Sequence, residues 1–152
     1  MIYRAIAAAA VLTALLSLPT TAADGLIQKA SAHSTDQTVK RLKGILEKKG
    51  IRVFAHVNHQ KNAQGKNLEL NDIQLVVFGN PLLGTPLMQA NPTIGIDLPM
   101  KVLVWEDAQG KVWLAYNDPS YLVGRHGIDN RQAIVDKMEK ALKNMTNAAT
   151  SP

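Results

Sequence analysis

Residues 73–105, IQLVVFGNPLLGTPLMQANPTIGIDLPMKVLVW, decide the fold. Residues 73–78 form a nearly continuous apolar run, typical of a buried strand, and residues 100–105 predict a second strand. Between them lies the 79–99 segment, 21 residues that are rich in glycine and proline yet apolar. Apolar loops of this length are seldom structureless and are often functional. We therefore expect this segment to line a binding site.

Within the 79–99 segment, the sequence predicts short helical turns. Thr85 is the expected N-cap and Pro86 the first residue of a helix that ends near Ala90, where Pro92 breaks it. Gly79-Asn80-Pro81 is expected to be a turn. It does not begin a phosphate-binding loop, because the Gly-Lys-Ser/Thr ending of that motif is missing.

The flanking sequence predicts the remaining helices and strands. A capping box of Ser34 and Gln37 begins a helix at 34–49, which Gly50 ends. A short helix is expected to start at Asp118-Pro119, and Asp129 with Gln132 to cap the last helix. Further predictions are strands at 25–30, 51–57 and 112–116, a loop at 62–67, and a frayed tail from residue 147.

These elements predict an α+β fold. The helix–strand order indicates a single domain with an antiparallel or mixed sheet and helices packed mainly on one face. In the strand at 51–57, alternation predicts that Val53, Ala55 and Val57 point one way and His56 the other.

The first 23 residues are typical of a secretory signal peptide. Arg4 is their one charged residue, residues 5–18 form an apolar run of 14, and small residues precede Asp24. The run is shorter than the ~20 residues that a membrane-spanning helix needs, which disfavours an uncleaved anchor. We expect cleavage after Ala23, or after Ala22, which would leave a periplasmic or secreted domain at 24–152 with no membrane anchor.

Composition excludes several classes of chemistry. The chain has no cysteine, so disulfides, thiol nucleophiles and thiolate metal sites are absent. Removing Arg4 with the signal leaves 16 Lys and Arg against 12 Asp and Glu, a net charge of about +4. These cations are scattered, and a nucleic-acid partner is not expected because such proteins carry denser basic stripes with aromatic residues between them.

His56 and His59 are the residues that most resemble metal ligands. On a helix, this spacing would place both imidazoles on one face. Here they lie on or just after a strand, where side chains three residues apart point to opposite faces. We therefore expect no metal site, and no motif indicates a cofactor.

Several polar and aromatic side chains near the 79–99 segment and the last hairpin are candidates for function. Asp97 lies between Ile96 and Leu98, so its carboxylate needs hydrogen-bond partners, and the backbone N–H groups of the 79–99 segment are the expected ones. The role favoured for it is a structural anchor, with a ligand-facing carboxylate as the alternative. Four further side chains cluster around the last hairpin and short helix, namely Tyr116, Tyr121, Arg125 and His126. Tyr116 is expected in the core and His126 at a helix C-terminus. Trp105 and Trp113 are expected to pack across the hairpin.

Five short motifs together resemble the bacterial family called domain of unknown function 302. They are Phe78-Gly79-Asn80-Pro81, Gly84-Thr85-Pro86-Leu87-Met88, Asp97-Leu98-Pro99, Val104-Trp105-Glu106-Asp107 and Tyr116-Asn117-Asp118-Pro119. The resemblance covers about residues 34–128, with His59 and Ala63 also matching. It implies a small α+β fold, common assembly as dimers and frequent export, and no established activity. The matching positions give the candidate ligand-binding residues His59, Asn80, Thr85, Asp97, Tyr116 and His126.

The sequence favours a non-enzymatic accessory domain that binds a small ligand or a protein partner as a homodimer. The alternatives are a small hydrolase or isomerase that uses His59 or His126 with Asp97, and a structural or stress-associated protein. An apolar pocket with one or two polar groups would favour the binding domain. A pocket that contains Asp97 and a hydrogen-bonded histidine would favour the enzyme.

Overall fold

Antiparallel pairing of apolar strands produces one open sheet. The computed structural model describes residues 25–152, and the predicted signal peptide lies outside them. Five strands are arranged in the order β1-β5-β4-β3-β2, and every neighbouring pair is antiparallel. The strands are β1 Leu26–Ala30, β2 Arg52–Asn58, β3 Ile73–Gly79, β4 Met100–Glu106 and β5 Val112–Asn117.

Two long helices cover one face of this sheet. Within the described residues the α-helices are α1 Thr35–Lys48, α2 His59–Gln64, α3 Pro81–Ala90, α4 Pro119–Arg125 and α5 Gln132–Thr150, and a 3₁₀ helix spans Pro92–Ile96. The apolar stripes of α1 and α5 pack against each other and against the sheet, and Leu42, Leu46 and Leu142 are buried in this core. The predicted α+β class, with helices mainly on one face, is confirmed.

The two faces of the sheet differ in burial. Side chains alternate between buried and half-buried along β3 and β4, so that Val76 and Val102 are enclosed while Leu75 and Leu103 keep part of their surface in water. Burial on one face only is characteristic of an antiparallel sheet with helices on one side. Among residues 25–152, none of the helices combines the length and hydropathy needed to cross a bilayer.

The predicted alternation along β2 is wrong, because a bulge interrupts it. Val53 pairs with Phe78 and Ala55 pairs with Val77, which leaves Phe54 as the extra residue. A bulge of this kind shifts the following side chains to the opposite face. His56 therefore pairs with Val76 on the helix-covered face, instead of pointing away from Val53.

The loop predicted at residues 62–67 is partly helical. Asn58 caps α2 by accepting a hydrogen bond from the Lys61 N–H, and the helix continues to Gln64. None of its residues is buried, so the apolar periodicity that reveals longer helices is missing from this short polar helix.

The helix predicted to have Pro86 as its first residue starts five residues earlier, at Pro81. Asn80 is its N-cap and accepts a hydrogen bond from the Leu82 N–H, while Pro81 takes the first helical position. Pro86 therefore lies inside α3, and the Leu82 carbonyl loses its usual helical donor. Leu82 is exposed, so water can bond that carbonyl and the proline is tolerated.

Both predictions for the ends of α5 are wrong. Arg131, not Asp129, is the N-cap residue, and its guanidinium instead donates to the carbonyls of Pro86 and Asn130. The tail from residue 147 is not frayed, because α5 continues to Thr150 with Ala149 buried. Arg41 also donates to the carbonyl of Ala148, one of the groups that a helix C-terminus leaves without a helical partner.

We predict that Ala149→Asn destabilises the protein and that Ala148→Asn does not. Ala149 is buried and Ala148 is exposed, so only the first variant forces an amide into the core, at a cost of ~1–3 kcal/mol. Thermal denaturation should show a melting temperature several degrees lower for Ala149→Asn. Equal melting temperatures for the two variants would mean that the end of α5 does not contribute to the core.

Candidate functional site

An apolar pocket opens at the end of the sheet where β3 ends and β4 begins. The 79–99 segment connects these two strands, and its first helix, α3, forms one wall of the pocket, while α5 forms the wall opposite. The pocket encloses about 310 Å³, which lies in the lower part of the range for small-molecule sites. Residues of the 79–99 segment, which is expected to line a binding site, line this pocket.

Methionine is the residue type that characterises the pocket. The chain has five methionines, and the four that follow Met1 all line this one cavity. They are Met88 from α3, Met100 from the start of β4, and Met138 and Met145 from α5. Methionine is unbranched and polarizable, so a wall built from it can adjust to apolar ligands of different shapes.

Few polar atoms face the pocket, and the types of residue that line it explain why. Pro81 and Pro99 line the wall and have no backbone N–H, and the Asn80 side chain is used to cap α3. Gly79 and Gly84 contribute no side chain. Thr85 adds one exposed hydroxyl, so the site suits an apolar ligand with at most one or two polar groups.

Asp97 lies outside this pocket and joins the 3₁₀ helix to the end of α4. Its Oδ2 is 2.7 Å from His126 Nε2, and its Oδ1 is 3.2 Å from Arg125 Nη1. The carboxylate accepts in both bonds, which places a proton on His126 Nε2. His126 Nδ1 in turn lies 2.8 Å from the Thr93 hydroxyl. We call Asp97, Arg125, His126 and Thr93 the Asp97 clamp.

The expected backbone partners of Asp97 are therefore wrong, since the carboxylate binds the side chains of Arg125, the last residue of α4, and of His126, its C-cap. His126 caps that helix, as predicted, and the Asn91 amide donates to its carbonyl over 2.7 Å. The clamp holds the 3₁₀ helix against α4, and Leu98, the residue after Asp97, lines the apolar pocket. The clamp thus positions one wall of the pocket without facing its interior.

The six candidate residues do not form one site. Asn80 and Thr85 line the pocket, and Asp97 and His126 form the clamp beside it. Tyr116 lies in the core under the helices, where burial raises the pKa of its phenol. His59 begins α2 beyond the opposite end of β2 and does not join the others.

No sequence pattern indicates a role for Lys29, yet its side chain is partly buried beside Tyr116. Its ammonium donates to the Thr146 hydroxyl over 2.7 Å and lies 5.8 Å from the centre of the Tyr116 ring. Burial, with a smaller contribution from nearby Lys143, lowers the pKa of Lys29. These contacts attach the edge strand β1 to α5, which is a structural role.

A second, shallower groove lies between α1 and the β2–β3 pair. In its floor, buried Gln74 donates to Asp36 over 2.7 Å and to Asp72 over 3.0 Å, which directs its Oε1 at His56 Nε2, 2.8 Å away. Every polar atom of Gln74 is therefore satisfied within the protein. Nowhere in residues 25–152 do three or more His, Asp or Glu side chains gather in a way that could hold a metal ion.

Comparison with known proteins identifies the family of this chain. The sequence profile of "Domain of unknown function DUF302" matches residues 27–148. The chain belongs to the DUF302 family. The match extends beyond residues 34–128 on both sides, so β1 and most of α5 are part of the family domain.

A solved structure has the same fold. It is the crystal structure of an uncharacterized conserved DUF302 protein from Bacillus stearothermophilus, with a TM-score of 0.74. The two chains are 21% identical, and the match covers 84% of this chain and 99% of that one. At this identity the comparison establishes the shared architecture.

Two curated relatives carry the name fluoride-specific ion channel FluC 1, one from Brucella suis and one from Brucella abortus. Each is 44% identical over 104 residues, which is 68% of this chain. The match covers 41% of the first relative and 38% of the second, so this chain spans about two fifths of their length.

We predict that Asp97→Ala lowers the free energy of unfolding by ~1–3 kcal/mol, because it leaves the mostly buried His126 without its acceptor. Arg125→Ala is the matched control: the Arg125 side chain is 53% exposed, and a pair of this kind contributes less than about 1 kcal/mol. Thermal denaturation of both variants measures the difference. A melting temperature unchanged by Asp97→Ala would contradict the structural role of the clamp.

Proposed function

We propose that this DUF302 domain binds a small apolar ligand in the pocket between α3 and α5. One observation carries the proposal: every methionine after Met1 faces this single cavity. A packed core needs no such concentration, whereas an adaptable apolar binding surface uses methionine repeatedly. The lining also has the composition typical of ligand sites, largely apolar with Asn80 and Thr85 as its polar members.

The connection between β3 and β4 supports a functional role for the 79–99 segment. These strands are antiparallel neighbours, with Phe78 paired to Met100, and two residues would suffice to connect such a pair. The chain instead inserts α3 and the 3₁₀ helix at this point. Because a short turn would connect the two strands, we infer that the inserted helices serve to form the pocket.

The alternative of a hydrolase or isomerase has one supporting observation. Thr93, His126 and Asp97 form a continuous chain of hydroxyl, imidazole and carboxylate. Neither Asp97 nor His126 lines the apolar pocket, however, so a molecule bound in that pocket does not contact them. His59 lies beyond the far end of β2. The geometry therefore favours a structural role for the clamp, which holds one wall of the pocket in place.

We further propose that the domain is exported to the periplasm and acts there as an accessory module. The n-region, apolar run and small residues before Asp24 support export. The Brucella relatives support the accessory role, because in proteins named as ion channels the matching segment is about two fifths of the chain.

Native mass spectrometry of protein purified without detergent from its own cells tests the ligand proposal. We expect a bound apolar molecule that is lost from Ala141→Phe, because Ala141 lines the pocket and a phenyl ring there would fill it. Ala133→Phe places the same ring on an exposed part of α5 and should keep the ligand. The mass of the chain also reports processing, which we expect to leave Asp24 as the first residue.

An environment-sensitive apolar dye gives a second readout of the same pair of variants. The affinity for the dye should fall about tenfold or more in Ala141→Phe, which corresponds to about 1.4 kcal/mol, and remain unchanged in Ala133→Phe. If Ala141→Phe binds the dye as tightly as the natural chain, the pocket is not the binding site.

The half-buried face of the sheet is the surface that we propose for a homodimer. Leu75, Leu103, Trp105 and Trp113 lie on this face, opposite α1 and α5, and the two tryptophans pair directly across the β4–β5 hairpin. Apolar side chains that a fold leaves half-exposed across neighbouring strands are typical of an interaction surface.

We predict that the natural chain is dimeric and that Leu103→Glu makes it monomeric, because the carboxylate would lose its hydration at the interface. Leu68→Glu is the control, since it makes the same change at an exposed leucine outside the sheet. Sedimentation equilibrium measures both. A Leu103→Glu variant that remains dimeric would exclude this face as the interface.

A further inference from the structure

Exposed apolar side chains are concentrated around the mouth of the pocket. Leu82 is 81% exposed, Ile96 74%, Phe54 45% and Met88 38%. Phe54 and Met88 line the pocket itself, and Leu82 belongs to the helix that forms its wall. Ile96 follows Gly95, where an added methyl group would lie 3.6 Å from Met88 Sδ. These four side chains, which we call the mouth residues, therefore belong to one end of the sheet.

Basic groups flank the mouth residues. The Arg52 guanidinium lies 5.0 Å from the centre of the Phe54 ring. Lys48 and Lys49 end α1 just before Ile51, which lines the pocket. The carboxylate nearest the mouth along the chain, Asp97, is paired with Arg125 and His126 in the clamp. Glu47 precedes Lys48 in the same turn, so the cations Lys48, Lys49 and Arg52 exceed the acids of this segment by two. Apolar side chains beside an excess of cations match the surface of an anionic bilayer, where the headgroups attract cations and the acyl chains accept apolar groups.

We propose that this end of the domain docks on an anionic lipid surface and that the pocket takes up an acyl chain from it. This inference rests on the proposed ligand-binding function and names both the source and the class of the ligand. An acyl chain could enter from the bilayer without crossing water, because the mouth that contacts the membrane is itself apolar. Leu82 and Ile96 are highly exposed aliphatic side chains on the two helices of the 79–99 segment, and such side chains insert between lipids more readily than they form the aromatic centre of a protein interface.

Vesicle co-sedimentation of the full chain tests the docking surface with two double variants of equal charge change. Leu82→Asp with Ile96→Asp removes two mouth residues. Leu68→Asp with Leu70→Asp makes the same change at leucines that are 63% and 40% exposed and follow α2, beyond the opposite end of β2. All chains share residues 1–24, so a difference in binding between the two double variants arises from the substituted side chains.

We expect the natural chain and the Leu68/Leu70 variant to bind vesicles of phosphatidylcholine with phosphatidylglycerol, and less well vesicles of phosphatidylcholine alone. The Leu82/Ile96 variant should bind the anionic vesicles about tenfold less tightly or worse. Equal losses in the two double variants, or no vesicle binding by the natural chain, would overturn the proposal. If the natural chain does not bind vesicles and its mouth residues cross-link to a protein, the proposal is also overturned.

The pocket variant separates this inference from the proposed function. Ala141→Phe should lose the apolar dye and still bind anionic vesicles, since the mouth residues remain. If the natural chain binds vesicles but never the dye or an acyl chain, the proposed function fails while the docking surface stands. If it binds the dye but not vesicles, the docking surface fails alone.

Discussion

The pairing of Phe78 with Met100 is the interaction on which the rest of this structure depends. It joins the end of β3 to the start of β4, and both side chains are buried against the helices. Because the two strands are held at this point, the 79–99 segment leaves and re-enters the sheet at adjacent positions. The segment must therefore fold back on itself, and α3 and the 3₁₀ helix form beside α5 at the end of the sheet. The pocket is the space that this arrangement encloses.

Three polar contacts keep that segment ordered although much of it is exposed. Asn80 caps α3, Arg131 donates to the Pro86 carbonyl, and Asp97 binds His126. Each contact satisfies a polar group that would otherwise oppose packing beside an apolar cavity. Leu87 and Ile94 anchor the same segment in the core, so the pocket wall is fixed at several points while its methionine side chains can still adjust.

One polar cluster and one apolar pocket thus lie side by side, and they have different roles. In the clamp, the acceptors and donors satisfy one another and Asp97 and His126 are mostly shielded from water. In the pocket, the wall offers almost no hydrogen-bonding group, so binding would depend on apolar contact and shape. The mouth residues extend that apolar surface outward, which connects the proposed ligand site with the proposed membrane surface. The half-buried sheet face, by contrast, lies opposite α1 and α5 and is the surface proposed for the homodimer.

The sequence by itself determined the α+β class, most strands, the limits of α1, and the family, because apolar periodicity, helix caps and short motifs act over a few residues. It also singled out the 79–99 segment, which lines the apolar pocket. It misplaced the start of α3, although Asn80-Pro81 carries the same capping signal as Thr85-Pro86, because the chain offers both and only packing selects one. The bulge at Phe54, the Arg131 N-cap and the buried end of α5 depend on contacts between residues distant in the chain. Only the tertiary structure brought four methionines from α3, β4 and α5 around one cavity, and only it separated Asp97 and His126 from that cavity. The physical reason is that a local sequence pattern does not specify which side chains distant in the chain will come into contact.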